Sequence, residues 1–257
     1  MSSTTKQKRT VNTTGSAADF IPPRPTLSKL RAAAEGCRGC HLYKCATHVV
    51  FGAGPARARL LVVGEQPGDV EDRAGKPFVG PSGKLLDRAL DAAKIDRDSV
   101  YVTNAVKHFK FAREARSERR IHKSPNAGEV RACRPWLEHE IALVKPDIIL
   151  CLGATAAKAL LGRTFSVLKQ RGVALESEWA PVVFATVHPS AVLRARHGER
   201  EAAERAFFAD VKKVGARLSR AKPAAKRATR ETGKFSAWPT TAHRSRTSSA
   251  RTRSSHA

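Results

Sequence analysis

Four short apolar runs punctuate this chain, at residues 60–63, 100–106, 148–152 and 182–187, and segments of helical periodicity lie between them. Residues 82–94 place Leu85, Leu86, Ala89, Leu90 and Ala93 at helical spacing, and residues 127–144 do the same with Val130, Cys133, Leu137, Ile141 and Val144. Two further helical patterns cover residues 154–161 and about 199–218. A short helix is expected over 26–35, capped by Thr26 or Ser28 and stopped by Gly36. Strands that alternate with helices imply a parallel sheet, right-handed crossovers and helices on both faces. The expected fold is α/β: a three-layer α/β/α sandwich around a central four-stranded parallel sheet.

The first run stops at Gly64 and opens into a Gly- and Pro-rich loop that carries Glu65, Asp69, Glu71 and Asp72 before a helical pattern begins after Gly83. A strand that feeds a loop and then a helix is the usual way such a sheet presents chemistry at its carboxyl edge. The acids stand out because the chain carries a formal net charge of +24. Residues 1–25 hold about +3 of this and residues 220–257 about +9, which leaves about +12 on the body. Such an excess points to a polyanion, nucleic acid first, because each neutralised phosphate releases counterions. Residues 1–25 read as a disordered leader, 26–218 as the folded domain, and 219–257 as a disordered basic tail that adds nonspecific DNA affinity. The start has no apolar core segment of a secretory signal, and no run approaches the roughly 18 apolar residues of a spanning helix. A cytoplasmic protein without a membrane partner is expected. The longest non-periodic connection, residues 107–125, is read as a functional loop because loops of that length are uncommon inside compact domains.

Five cysteines in such a chain argue for metal or redox use over disulfides. Cys37 and Cys40 form a C-x-x-C pair; Cys133 and Cys151 are farther apart, one in a helical pattern and one in a strand run. Four thiolates fit a structural zinc or a 4Fe–4S cluster. Zinc ribbons usually use two tight turns, so the iron–sulfur cluster is favoured, with Cys45 spare. Two ordinary buried core cysteines are the competing reading of Cys133 and Cys151.

Taken together, the four cysteines, GEQPGDVEDRAGKPFVGPSG at 64–83, TNAVKHFKF at 103–111 and VHPS at 187–190 resemble family 4 of the uracil-DNA glycosylases. Gln66 and the segment RRIHKS at 119–124 resemble its UdgX subgroup, although that subgroup's loop begins with a lysine where Glu118 stands here. The similarity runs over about residues 27–215. It implies a 4Fe–4S protein, ligated by Cys37, Cys40, Cys133 and Cys151, that excises uracil from single-stranded as well as duplex DNA as a monomer. It further implies that the protein then stays bonded to the DNA through His122.

The resemblance also assigns roles. Phe78 stacks on the flipped base, and the Asn104 amide accepts from uracil N3–H and donates to O4, a pattern that cytosine reverses. Glu71 crowds the C5 edge, with Gln66, Gly68 and Asp69 also against the base. His188 donates to uracil O2 as charge builds on the leaving group. Glu65 serves the sugar cation and accepts the spare proton of His122, the nucleophile. Arg119, Arg120, Lys123 and Ser190 are expected on the DNA backbone. Two rival readings are a turnover glycosylase of the same family and a zinc-stabilised DNA-binding module without catalysis.

Overall fold

A computed structural model describes residues 15–114, 117 and 119–220; the leader up to residue 14, residues 115, 116 and 118, and the tail from residue 221 lie outside the described residues. In chain order the strands are β1 (Leu60–Gly64), β2 (Val100–Asn104), β3 (Phe111–Arg113), β4 (Arg120–His122), β5 (Ile148–Leu152) and β6 (Val182–Thr186). The helices are α1 (Leu27–Ala34), α2 (Asp69–Ala74), α3 (Pro81–Ala92), α4 (Ala127–Val144), α5 (Gly153–Leu161), α6 (Val167–Gln170), α7 (Pro189–Leu193) and α8 (His197–Arg220). Strands β2, β1, β5 and β6, in that spatial order, form one parallel sheet. Every residue in those four strands is buried, which is why they read as unbroken apolar runs.

Side-chain alternation splits the sheet into two packed faces. Leu60, Val62, Val102, Leu150 and Phe184 face α3, α7 and α8 through Leu86, Leu90, Val192, Phe207 and Val211. Leu61, Val63, Tyr101, Ile149, Cys151 and Val183 face α4 and α5 through Leu137, Ile141, Ala157 and Leu160. The three expected layers are present. A third apolar group seats the N-terminal segment on α4, where Ala17, Leu30, Phe51 and Val106 surround the fully buried Trp136.

Several expectations change in detail. The leader expected through residue 25 is structured from residue 15 onward. Ala17–Phe20 forms a 3-10 turn capped by Ser16, and Ala17 is fully buried. The buried Ala17 docks this segment together with the partly buried Phe20 and Ile21, which its otherwise polar composition does not signal. The acidic loop contains the six-residue helix α2, started by Gly68 and closed by Gly75 in a left-handed conformation (φ 65°). The 107–125 connection is not without structure. It holds the antiparallel pair β3–β4, with Phe111 opposite His122 and Arg113 opposite Arg120. Strand β2 ends at Asn104, two residues before its apolar run does, and α8 continues to Arg220. No helix among the described residues is long and apolar enough to cross a membrane.

Candidate active site

The order β2–β1–β5–β6 reverses direction between β1 and β5, and α/β sheets bind their ligands in the crevice at such a switch point. A pocket opens there. Glu65 to Gly68 follow β1, Asn104 ends β2, Gly153 and Ala154 begin α5, and His188 and Ser190 follow β6. Glu71, Phe78 and Arg194 complete its wall, and Arg119 to His122 of the hairpin form one side.

At the open side, His122 Nε2 lies 3.5 Å from Glu65 Oε1. The other Glu65 oxygen accepts from the Thr155 hydroxyl in the first turn of α5, so the carboxylate is held from one end and faces the imidazole with the other. Burial lowers the His122 pKa and the Arg194 charge lowers it further, while Glu65 pulls it up; the net shift is downward. The ring is therefore neutral over a wider pH range than a free histidine, with one nitrogen lone pair available.

Two clamps seat the hairpin that carries His122. The Gln66 carboxamide uses both ends: Nε2 donates to the carbonyls of Lys110 (3.2 Å) and Lys123 (3.0 Å), and Oε1 accepts from the Lys110 N–H (3.0 Å). The Arg120 side chain, 6% exposed, turns inward and donates to the carboxylates of Asp69 and Asp72 and to the Thr47 hydroxyl. Burial would raise the Asp69 pKa, but the hydrogen bonds from Arg120 and Arg73 bring it below the usual carboxylate range.

The inner end of the pocket is closed by Asn104 and Phe78. Asn104, 3% exposed, pairs in register with Gly64 across β2 and β1. A Cβ on Gly64 would stand 2.3 Å from Asn104 Oδ1 and 2.8 Å from Phe78 Cζ, so only glycine leaves room for both groups. Phe78 adopts a left-handed backbone (φ 57°), uncommon for a bulky residue and typical of strained functional positions. Glu71 is buried, and its carboxylate accepts from the N–H groups of Gly68 (3.2 Å) and Gly80 (2.8 Å). It ties the start of α2 to the start of α3 around the pocket.

His188 has a defined tautomer. Its Nδ1 accepts from the Ser190 N–H (3.2 Å) and lies 2.8 Å from the Ser190 hydroxyl, so the ring proton resides on Nε2. Burial, with the charges of Arg194 and His122 acting in the same direction, pushes its pKa down to about 4. This neutral N–H donor is suited to developing negative charge.

A family model described as the uracil DNA glycosylase superfamily matches residues 51–212. The type-4 uracil-DNA glycosylase of Sulfurisphaera tokodaii is 35% identical over 65% of this chain and 76% of its own length. That of Pyrobaculum aerophilum is 37% identical over 65% of this chain and 85% of its own length. That of Archaeoglobus fulgidus is 32% identical over 73% and 90%. The chain belongs to the uracil-DNA glycosylase superfamily, in its type-4 family.

Most residues expected of such a glycosylase converge. Glu65, Gln66, Gly68, Glu71, Phe78, Asn104, Arg119, His122, His188 and Ser190 all line the one pocket. Three expectations need correction. Asp69 is not among the lining residues, because its carboxylate is bound by Arg120 and Arg73. Arg120 is spent on Asp69 and Asp72, so its guanidinium is not presented to phosphate; Lys123 is exposed, and its carbonyl is the part that holds the hairpin. The third concerns the cysteines. Cys37, Cys40 and Cys133 share one buried cluster, and their sulfurs influence one another. The Trp136 indole N–H donates to Cys37 Sγ (3.3 Å) and the Lys107 N–H to Cys133 Sγ (3.2 Å). Cys151 projects from β5 into a different core cluster, and burial alone pushes its pKa up to about 12. Among the described residues, no group of three or more His, Cys, Asp or Glu is disposed to hold a metal ion. Cys151 therefore stands apart from Cys37, Cys40 and Cys133, and the expected four thiols are not gathered in one place.

Thr155 and Arg194 are functional-site residues that the sequence did not reveal. Thr155 sits in an ordinary helical pattern, and Arg194 is one of many arginines. Only the chain's return to the β1–β5 crevice brings them to Glu65, His122 and His188.

Proposed function

We propose that this chain excises uracil from DNA, single-stranded as well as duplex, as a monomer in base-excision repair, and that His122 then captures the sugar. Flipping the nucleotide places uracil between Phe78 and Asn104, whose amide reads N3–H and O4. As the bond from C1′ to N1 breaks, its electron pair leaves with the base, and the Nε2–H of His188 stabilises the resulting anion at O2. The carboxylate of Glu65 stabilises the cationic sugar. The free lone pair of His122 then bonds to C1′ while its other N–H faces Glu65, which takes that proton. No hydrolytic step releases an imidazole from the anomeric carbon, so each molecule acts once.

The observation that carries this reading is the approach of His122 to Glu65, the position where an ordinary glycosylase orients its water. The likeness to type-4 enzymes supports the excision half and suits a turnover enzyme equally well. The two readings part on a denaturing gel. Incubation with a uracil-containing single-stranded oligonucleotide is expected to give a heat-stable shifted band, and His122→Ala is expected to abolish it. An abasic product with no shift would mean turnover. Intact uracil would mean that the chain does not act as a glycosylase at all.

A 4Fe–4S cluster belongs to the same proposal, held by Cys37, Cys40 and Cys133. The N–H groups that donate to two of these sulfurs are the kind of partner that thiolate ligands of such clusters keep. In this reading it ties the N-terminal segment to α4 and takes no part in the reaction.

A further inference from the structure

Lys107 carries its ammonium into the interior with no solvent exposure, and so does its partner Glu140. Replacing such a pair with uncharged groups of similar size is often neutral for stability, so its presence asks for a geometric reason. All three ammonium donors have acceptors: Thr103 Oγ1 (2.7 Å), the Asn104 carbonyl (2.8 Å) and a Glu140 oxygen. Glu140 is held in turn by the Gly52 N–H, the Tyr101 hydroxyl and the Thr103 hydroxyl.

The contact with the Asn104 carbonyl is the informative one. Strand β2 lies at the edge of the sheet, with β1 on one side. On its other side Val102 exchanges both backbone hydrogen bonds with Ala53. Backbone groups two residues apart point the same way along a strand, so the Asn104 carbonyl faces that outer edge, beyond the last bridge. The Lys107 ammonium stands where a neighbouring strand would have been. The Lys107 backbone is itself held, its N–H donating to Cys133 Sγ and its carbonyl accepting from the Val50 N–H.

We infer that Lys107, neutralised by Glu140, is a positioning residue that holds the Asn104 backbone and so sets the aim of the base-reading carboxamide. This rests on the reading of Asn104 given above. The ammonium fastens the carbonyl end of the Asn104–Ala105 peptide on the outer edge, while the Ala105 N–H fastens its other end to the Gly64 carbonyl of β1. Without it, the Asn104–Ala105 peptide is held from one side only, by the Ala105 N–H bond to the Gly64 carbonyl, and a carboxamide that discriminates by donor and acceptor order loses part of its orientation.

The test is a double-mutant cycle on single-turnover uracil excision. Lys107→Met combined with Glu140→Gln removes both charges and leaves an acceptor for the Gly52 N–H and Tyr101 hydroxyl. The pair is expected to melt near the wild-type temperature and bind uracil-free DNA normally, yet excise uracil at least 10-fold more slowly. In an Asn104→Ala background, assayed with excess protein and long incubation, the same pair is expected to cost nothing further. An unchanged rate in the folded pair, or a loss that multiplies with that of Asn104→Ala, overturns the inference. If the pair fails to fold, Glu140→Gln alone loosens the ammonium without removing it and should give a smaller loss, again absent in the Asn104→Ala background; an equal loss in both backgrounds overturns it. Wild-type protein that leaves uracil intact would instead overturn the glycosylase reading beneath it.

Discussion

At the level of single residues, two histidines share a pocket with Arg194, and in the proposed reaction their protonation determines when the site can react. For the proposed capture His122 must be neutral to attack, and His188 must be neutral to keep the tautomer that Ser190 imposes. Burial lowers both pKa values; Arg194 lowers both further, and Glu65 opposes it at His122 alone. Because a lowered pKa keeps the neutral form at lower pH, adduct formation should stay flat as pH falls through 6.5, the ordinary histidine value, and drop only below it. Arg194→Gln removes a charge that lowers both pKa values, so it should move the drop to higher pH. A stopped-flow or quench-flow pH profile checks this; a break at the ordinary histidine value in the wild type would contradict the burial that the geometry describes. Sequence reading reached His122, His188, Glu65 and Asn104 through their motifs. It could not reach Arg194, because nothing in its neighbours distinguishes it from the other arginines of a basic chain.

At the level of elements, the contrast is between the strands of the sheet and the hairpin. The four sheet strands were legible because parallel strands buried on both faces must be continuously apolar. The pair β3–β4 was not, since each strand has three residues and none is buried. Helix α2 hid in a run of acids that read as a loop; its acids are there partly to receive Arg120, which no local pattern reports. That ion-pair set makes the hairpin testable as a unit. Arg120→Gln leaves the fully buried Asp72 carboxylate without its cation, a loss on the order of 3 kcal/mol at the hairpin seat. Adduct formation should slow about 100-fold, the equivalent of that energy, while uracil excision slows much less. Parallel assays of free uracil and of the shifted band measure the two proposed steps, and equal losses in both would mean that the hairpin does more than carry the proposed nucleophile.

For the whole molecule, the N-terminal segment is the part that composition misjudged. Ala17, Leu30 and Phe51 pack on α4 around Trp136, and this layer brings Cys37 and Cys40 towards Cys133. In the sequence Cys133 is grouped with Cys151 only because together with Cys37 and Cys40 they make four thiolates. The strand, however, sends Cys151 into the α4–α5 core while the helix turns Cys133 to the N-terminal layer. Iron content separates the two. Cys133→Ser should lose iron and the absorbance near 400 nm that accompanies a cluster, and Cys151→Ser should keep both. Loss from both variants would restore Cys151 as a ligand, and zinc in place of iron would remove the cluster.

The inward turn of Arg120 beside the outward Arg119 has a kinetic meaning. One arginine of the pair is spent inside the fold and the other remains at the surface, so adjacent residues in the same motif respond differently to ionic strength. Salt screens exposed charges over about 10 Å at 0.1 M and affects enclosed ones far less. Dissolved ions should therefore set how often DNA arrives, through Arg119 and the wider basic surface, while leaving the alignment of His122 over Glu65 largely unchanged. The proposed capture step would be buffered against the same ions that govern encounter.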